Sequence, residues 1–414
     1  MNAEIATQDA FVLTGSGANA AYEVGVMKAL LRERWGVEKR PPIDPYCYSG
    51  TSVGALNAAV MVSLADRSAN EAVEFLENLW MDRIAVKSAS SATGLFRVRA
   101  EPTQYLNVDS YVSNPLKPVF EMSADMLHFA RKSIQRVAFA IASAQTLPDG
   151  AVLISEVNEW LDLSPLVGLV SEAVDVAKIA ASSKKLRITA VNWETGTPRT
   201  FGNSDLDKDG AHQAILAALA LPGVVPSQHV DGLPFVDGAF LMHTPLKPAI
   251  EARDKESDFK VVLHTVFLDA NVARVPLPVL SNTFATVYRL YILALSRWVN
   301  ADIDRVQDTN DRIHARRMLA AFGKEDGAAA GNLNEEAADM LSRLEAETKG
   351  RVELTVHRYR PSKNIHGFEL RQFEKDRVKG LIQHGYEDAI RHDCEESGCI
   401  PRKKRKPTGP PPSF

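Results

Sequence analysis

Ser52 stands in the run Gly50, Thr51, Ser52, Val53, Gly54, a G-x-S-x-G pattern that follows strand-like Tyr46, Cys47 and Tyr48 and opens into the helix formers Ala55, Leu56, Asn57, Ala58 and Ala59. A serine on a sharp strand-to-helix turn needs small neighbours so that the backbone can bend and the hydroxyl can stand clear. The following helix then aims its positive end at the reacting centre. Such a serine is a candidate nucleophile; without that context the same letters describe a turn serine capping a helix. A second cluster, Gly15, Ser16 and Gly17, lies between strand-like Phe11, Val12, Leu13, Thr14 and a helix expected over 22–31. Amides exposed at a helix start bind anions, and acyl transfer needs such donors where the oxyanion develops, each typically worth about 2.7–4 kcal/mol. Gly15, Gly17 and Ala20 also fit the dinucleotide fingerprint G-x-G-x-x-A. That fingerprint asks for a second strand ending in an acid, and residues 32–45 are charged and proline-rich instead. The third cluster, Asp237, Gly238 and Ala239, follows Leu233, Pro234, Phe235 and Val236. A carboxylate there can receive a serine proton, although aspartate also serves any turn by bonding its own backbone.

Taken in order, the three clusters and their flanking text resemble the patatin-like phospholipases over most of residues 9–270. Residues 13–18 with Tyr22, Val24, Gly25, Val26 and Leu30 are similar to that family's glycine-rich oxyanion loop and first helix. Residues 50–58 resemble its nucleophile elbow, and residues 236–239 with Thr244, Pro245 and Leu246 resemble its Asp-Gly turn. The resemblance implies a lipid acyl hydrolase, a serine esterase of phospholipase A type working through an acyl-enzyme. Ser52 is then the nucleophile and Asp237 its base, with Gly15, Ser16 and Gly17 as the oxyanion hole. Gly50 and Gly54 shape the elbow, and Gly238 shapes the Asp-Gly turn. No metal or cofactor is expected. A carboxylate with an ordinary pKa near 3.9 is a weak base toward a hydroxyl, so the site must raise it or hold it rigidly. Asn19 stands where the family usually has arginine or lysine, Ala20 where it has glycine, and Ser16 replaces the middle glycine. Two other readings stay open: a patatin-fold binding or regulatory protein with weak catalysis, and an α/β-hydrolase with a Ser-Asp-His triad using His243 or His264.

The elements that must position these residues alternate. Strands are expected at 10–14, 46–50, 152–155, 186–191, 198–201 and 259–268 with helices between, the pattern of a three-layer α/β/α fold with a mainly parallel central sheet and helical additions. The patatin-like catalytic domain is placed at 1–275, a helical extension at 276–395 and a basic, proline-rich disordered tail at 396–414. Within the first, 101–148 is a helical insertion, with core packing expected before a lid. Phe284, Tyr288, Tyr291, Leu295 and Trp298 form an aromatic stripe, too short and charged to cross a bilayer and assigned to core or dimer contact. An amphipathic helix is expected at 335–348, a strand over 352–357 and a closing helix pair over 371–391.

The 414 residues are 45% hydrophobic and 24% charged, which permits a sizeable core. With 48 basic against 52 acidic residues the net charge is −4, so no global field recruits nucleic acid. The partners expected are a phospholipid or other lipid ester, a peripheral membrane surface and, for assembly, a homodimer. Cys47, Cys394 and Cys399 are too few for a disulfide framework and are expected as free thiols without a zinc-type histidine set. The N-terminus lacks the basic and apolar regions of a signal peptide, which makes the cytoplasm the default compartment.

Overall fold

The computed structural model describes residues 7–85, 94–98, 161–206, 210–222, 225–254, 260–268, 283–325, 335–362 and 373–401. The expected insertion at 101–148, the strand at 152–155 and the basic end of the tail lie outside these residues.

Strand β1 (Thr7–Leu13), helix α1 (Ala21–Arg32), β2 (Cys47–Gly50) and α2 (Val53–Ser63) open the chain, followed by α3 (Ala69–Asn78) and a π-helical turn, Leu79–Ile84. A small ribbon, β3 (Arg97–Val98) with β4 (Leu161–Asp162), precedes α4 (Ser164–Ala173) and α5 (Val176–Ala181). Then come β5 (Lys185–Asn192), β6 (Pro198–Gly202), α6 (Ala211–Ala218), β7 (Gln228–Val230), β8 (Leu233–Asp237), α7 (Leu246–Glu251) and β9 (Lys260–Val266). The long α8 (Thr283–Glu325), α9 (Glu335–Thr348), β10 (Leu354–Tyr359) and α10 (Lys375–Ile390) complete the described elements.

The central sheet runs β10-β9-β1-β2-β5-β8-β7, with β6 also on β5. The five strands from β10 to β5 are parallel, and β6, β7 and β8 pair antiparallel. β1 shows why the sheet has two covered faces. Phe11 and Leu13 enter the core formed with α1 and α2, whereas Ala10 and Val12 enter a second core with Val261, Leu263, Val299 and Ile303. Successive side chains of a strand point to opposite faces, so a strand buried on both sides must be apolar throughout. Every residue of α2 is buried, as expected of a helix without a polar face.

α10 packs on α1 at backbone distance. A Cβ on Gly25 would lie 1.9 Å from the Ile382 carbonyl oxygen, and one on Gly385 would lie 2.1 Å from that of Tyr22. Residues 371–391 were expected to hold a helix pair; a single helix spans Lys375–Ile390. α8 is far longer than the aromatic stripe. Val299, Ile303, Val306 and Ile313 are its buried side, spaced at helical intervals, while Trp298 of the stripe is 40% exposed. Asn310 on that buried side both donates to the Leu354 carbonyl and accepts its amide, which docks the start of β10. Among the described residues no helix is long and apolar enough to cross a membrane.

Candidate active site

The parallel strands β1 and β2 deliver the glycine loop and the serine turn side by side. Ser52 has φ 51° and ψ −137°, a conformation non-glycine residues rarely adopt and one that typically costs about 1–3 kcal/mol. The turn tolerates nothing bulkier around it. A Cβ on Gly50 would meet the Gly54 carbonyl oxygen at 2.4 Å, and one on Gly54 would meet that of Leu13 at 2.7 Å. Ser52 is half-buried at the start of α2, between buried Thr51 and Val53.

Gly15 turns at φ 61°, and its absent Cβ would fall 2.4 Å from the Thr51 carbonyl oxygen, so the glycine loop lies directly on the elbow. Thr51 Oγ1 sits 3.0 Å from both the Thr14 and the His243 carbonyl oxygens, joining glycine loop, elbow and the segment after the Asp-Gly turn. The Gly15 amide does not face the open side of the loop. It donates to Glu23 Oε1 at 2.9 Å, while Asn57 Nδ2 donates to Glu23 Oε2 at 2.9 Å. Trp80 Nε1 in turn donates to Asn57 Oδ1 at 2.8 Å. Of the three expected oxyanion amides, that of Gly15 is thus already engaged, while Ser16 is half-buried and Gly17 exposed. Burial pushes the Glu23 carboxyl up to about 7, against the Gly15, Asn57 and Thr14 donors that favour its charge. Asn19 is buried, and Arg377 of α10 donates to its Oδ1 at 3.1 Å, bringing a guanidinium to the loop from the C-terminal part of the chain.

Asp237 ends β8, with its amide on the Ala220 carbonyl at 2.8 Å and its Oδ1 accepting the Ala239 amide at 2.9 Å. Gly238 is required because a Cβ would sit 2.3 Å from the Thr189 carbonyl oxygen. Asp237 Oδ2 is buried with no hydrogen-bond partner among the described residues. Burial pushes this carboxyl up to about 6, opposed by the Ala239 amide and by the Ser52 side chain. Ser52 is thus close enough to favour the carboxylate, but the two do not form an aligned hydrogen bond; contacts of this kind commonly tighten only with substrate present. Burial lowers His243 to about 4, and its Nδ1 has no partner among the described residues. His264 is held elsewhere, its Nε2 2.9 Å from Asp9 Oδ1 and its Nδ1 3.2 Å from the Tyr359 hydroxyl.

The family model of patatin-like phospholipases matches residues 11–250. The chain belongs to this family. The three-layer α/β architecture is that of a patatin-like fold. Among solved structures, the crystal structure of VipD from Legionella pneumophila is similar at 15% identity and a TM-score of 0.34. The alignment covers 93% of this chain and 66% of that one. No curated protein matches the chain.

Several residues of this patatin-like protein escaped the sequence reading. Glu23 was visible as a single acid inside the apolar run 20–31, and Asn57 as a polar residue inside an apolar helix, yet neither pattern names its partner. The cysteines are free thiols as expected, but the histidines beside two of them were not expected. Cys394 and Cys399 are free, but His357 and His392 join them, and one potential ligand atom from each of the four lies within 4.8 Å of the others. Cys47 lies apart, buried in β2 with its thiol pushed up to about 12 by burial.

Proposed function

We propose that this patatin-like protein is a phospholipase A-type serine esterase that uses Ser52 and Asp237 as a dyad. The observation carrying this reading is the buried Asp237 Oδ2, without a hydrogen-bond partner among the described residues, beside Ser52 on its strained turn. Asp237 Oδ2 takes the hydroxyl proton as Ser52 Oγ attacks the ester carbonyl, giving a tetrahedral oxyanion. The Ser16 and Gly17 amides and the N-terminus of α2 stabilise that charge. Collapse expels the alcohol, which leaves with the proton from Asp237, and the acyl-enzyme remains. Water then attacks in the same manner, releasing the fatty acid and restoring Ser52. A carboxyl raised to about 6 suits this role better than an ordinary aspartate, because it holds the proton more readily yet is ionised at neutral pH. Arg377, at Asn19, supplies the positive charge that the family usually carries within the loop. A peripheral contact with the membrane that presents the lipid belongs to the same reading.

The test is fluorophosphonate labelling together with fatty-acid release from phosphatidylcholine vesicles. Wild-type protein should be labelled on Ser52 and release fatty acid, and Ser52→Ala should do neither. Asp237→Asn should lose roughly 10²–10⁴-fold in rate, the range for a positioned general base. An unlabelled, inactive but folded wild-type protein would favour the rival reading of a patatin-fold binding module.

A further inference from the structure

Behind the sheet edge, far along the chain from the elbow, β10 and the loop after α10 bring together two histidines and two cysteines. His357 projects from β10, while His392, Cys394 and Cys399 come from the loop that follows α10. Cys394 Sγ is 3.4 Å from His357 Nδ1 and 3.8 Å from His392 Nε2, and Cys399 Sγ is 3.2 Å from His392 Nε2. Legs of about 2.3 Å to sulfur and 2.0–2.1 Å to nitrogen, at the tetrahedral angle, place ligand atoms about 3.3–3.8 Å apart. Three of the six edges, at 3.2–3.8 Å, are already close to that, and all four ligand atoms lie within 4.8 Å of one another, so a small contraction closes the shell.

We propose that His357, His392, Cys394 and Cys399 form a structural zinc site. Four protein ligands close a tetrahedral shell and leave no position for water or substrate, which is the mark of a structural rather than a catalytic zinc. The surroundings fit thiolate ligands. The Arg358 amide donates to Cys399 Sγ at 3.4 Å, and Arg40 Nη2 donates to Cys394 Sγ at 3.3 Å. Ser397 Oγ lies 3.3 Å from His392 Nδ1, an arrangement that holds the ring and leaves Nε2 for the metal. The loop is built to present both sulfurs: Gly398 turns at φ 64°, the Cys399 amide bonds the Cys394 carbonyl at 2.9 Å, and Ile400 pairs with Val356 on β10. Three of the four ligand residues are buried and Cys394 is partly so, which shields the site from exchange. Zinc here ties the end of α10 to the edge strand of the sheet. The same helix reaches the glycine loop through Arg377, so the metal braces one wall of the site without joining the chemistry.

The full chain, purified without metal-affinity resin or added metal, should carry one zinc per molecule by elemental mass spectrometry. Cys47→Ser should keep it. Cys394→Ser with Cys399→Ser, and separately His357→Gln, should each lower occupancy at least tenfold. Should the double variant fail to fold, cobalt(II) exchange into the wild-type protein gives the answer, with thiolate charge-transfer and tetrahedral d–d absorption expected. The proposal is overturned by wild-type protein that holds no stoichiometric zinc and takes up none on reconstitution, or by zinc retained in the double cysteine variant. A Cys394–Cys399 disulfide in protein alkylated at lysis, or another metal at full occupancy, would overturn it equally.

Discussion

The amide of Gly15 donates to Glu23 Oε1 at 2.9 Å in the buried interior, so the first residue of the glycine loop is anchored from behind by an acid on α1. Replacing Glu23 with alanine strands the Gly15 amide and removes one of the two bonds of Asn57 Nδ2, which keeps the Ala20 carbonyl, and a buried donor left unmet costs about 1–3 kcal/mol. The expected outcome for Glu23→Ala is a lower melting temperature together with a fall of roughly tenfold in kcat, because the loop carrying the Ser16 and Gly17 amides loses its anchor, whereas outright loss of one such donor costs about 10²–10³. Glu23→Gln, which keeps one acceptor, should lose less of both. Thermal denaturation and hydrolysis of a soluble fluorogenic ester measure the two effects.

The pH dependence follows from two carboxyls raised by burial, Asp237 to about 6 and Glu23 to about 7. Asp237 accepts a proton only when ionised, so kcat/KM should fall as pH drops below about 6, with the limb absent from the residual rate of Asp237→Asn. The stability consequence has the opposite sign. A raised folded-state pKa means that the contribution is fully present below the unfolded value near 4 and is lost as pH rises through 6 to 7. Chemical denaturation at pH 4.5 and 8 should therefore show Asp237→Asn gaining on the wild type at the higher pH.

Gly15 and Gly17 both have positive φ, 61° and 54°, yet they answer differently to an added methyl group. At Gly15 the Cβ strikes the Thr51 carbonyl oxygen at 2.4 Å, whereas at Gly17 nothing lies within 4 Å. Gly17→Ala should cost only the left-handed backbone penalty of about 1–2 kcal/mol and keep most activity. Gly15→Ala should displace the elbow and abolish measurable turnover. Equal activity in the two variants would contradict this packing.

Arg377 reaches Asn19 Oδ1 at 3.1 Å across 358 positions of sequence. Arg377→Ala should reduce vesicle hydrolysis by about an order of magnitude, and Arg377→Lys should restore part of it, because lysine keeps the charge but lacks the guanidinium fork. Asn19→Arg in the Arg377→Ala background should also recover activity. No recovery would mean that the charge is not what the loop needs.

The parts of the site written in short-range rules were legible in the sequence. A serine between Gly50 and Gly54, or an aspartate before Gly238, carries its own reason, since bend and close approach demand glycine there. The strands expected at 186–191 and 198–201 and the helix at 335–348 were likewise set by local apolar patterning, and they occur as Lys185–Asn192, Pro198–Gly202 and Glu335–Thr348. Partnerships were not legible, because they depend on which surfaces meet. Nothing local to Glu23 names the Gly15 amide or Asn57 as its partners, and nothing local to His392 and Cys394 names His357, which arrives from a strand 35 residues before His392. In α8, Val299, Ile303 and Val306, at steps of four and three, pack in one cluster with the sheet residues Val12, Val261 and Leu263, a partnership that helical spacing alone does not name.

The order of the sheet has a further meaning for how this protein can be handled. β1, which feeds the glycine loop, is flanked by β2 on one side and β9 on the other, and β9 is flanked in turn by β10. Both outer strands lie after residue 250, where the family match ends. Excising the matched stretch alone would leave β1 with a bare flank and strip α1 of the glycine-to-glycine seam with α10, so the stretch the family model spans is shorter than the one that can stand by itself.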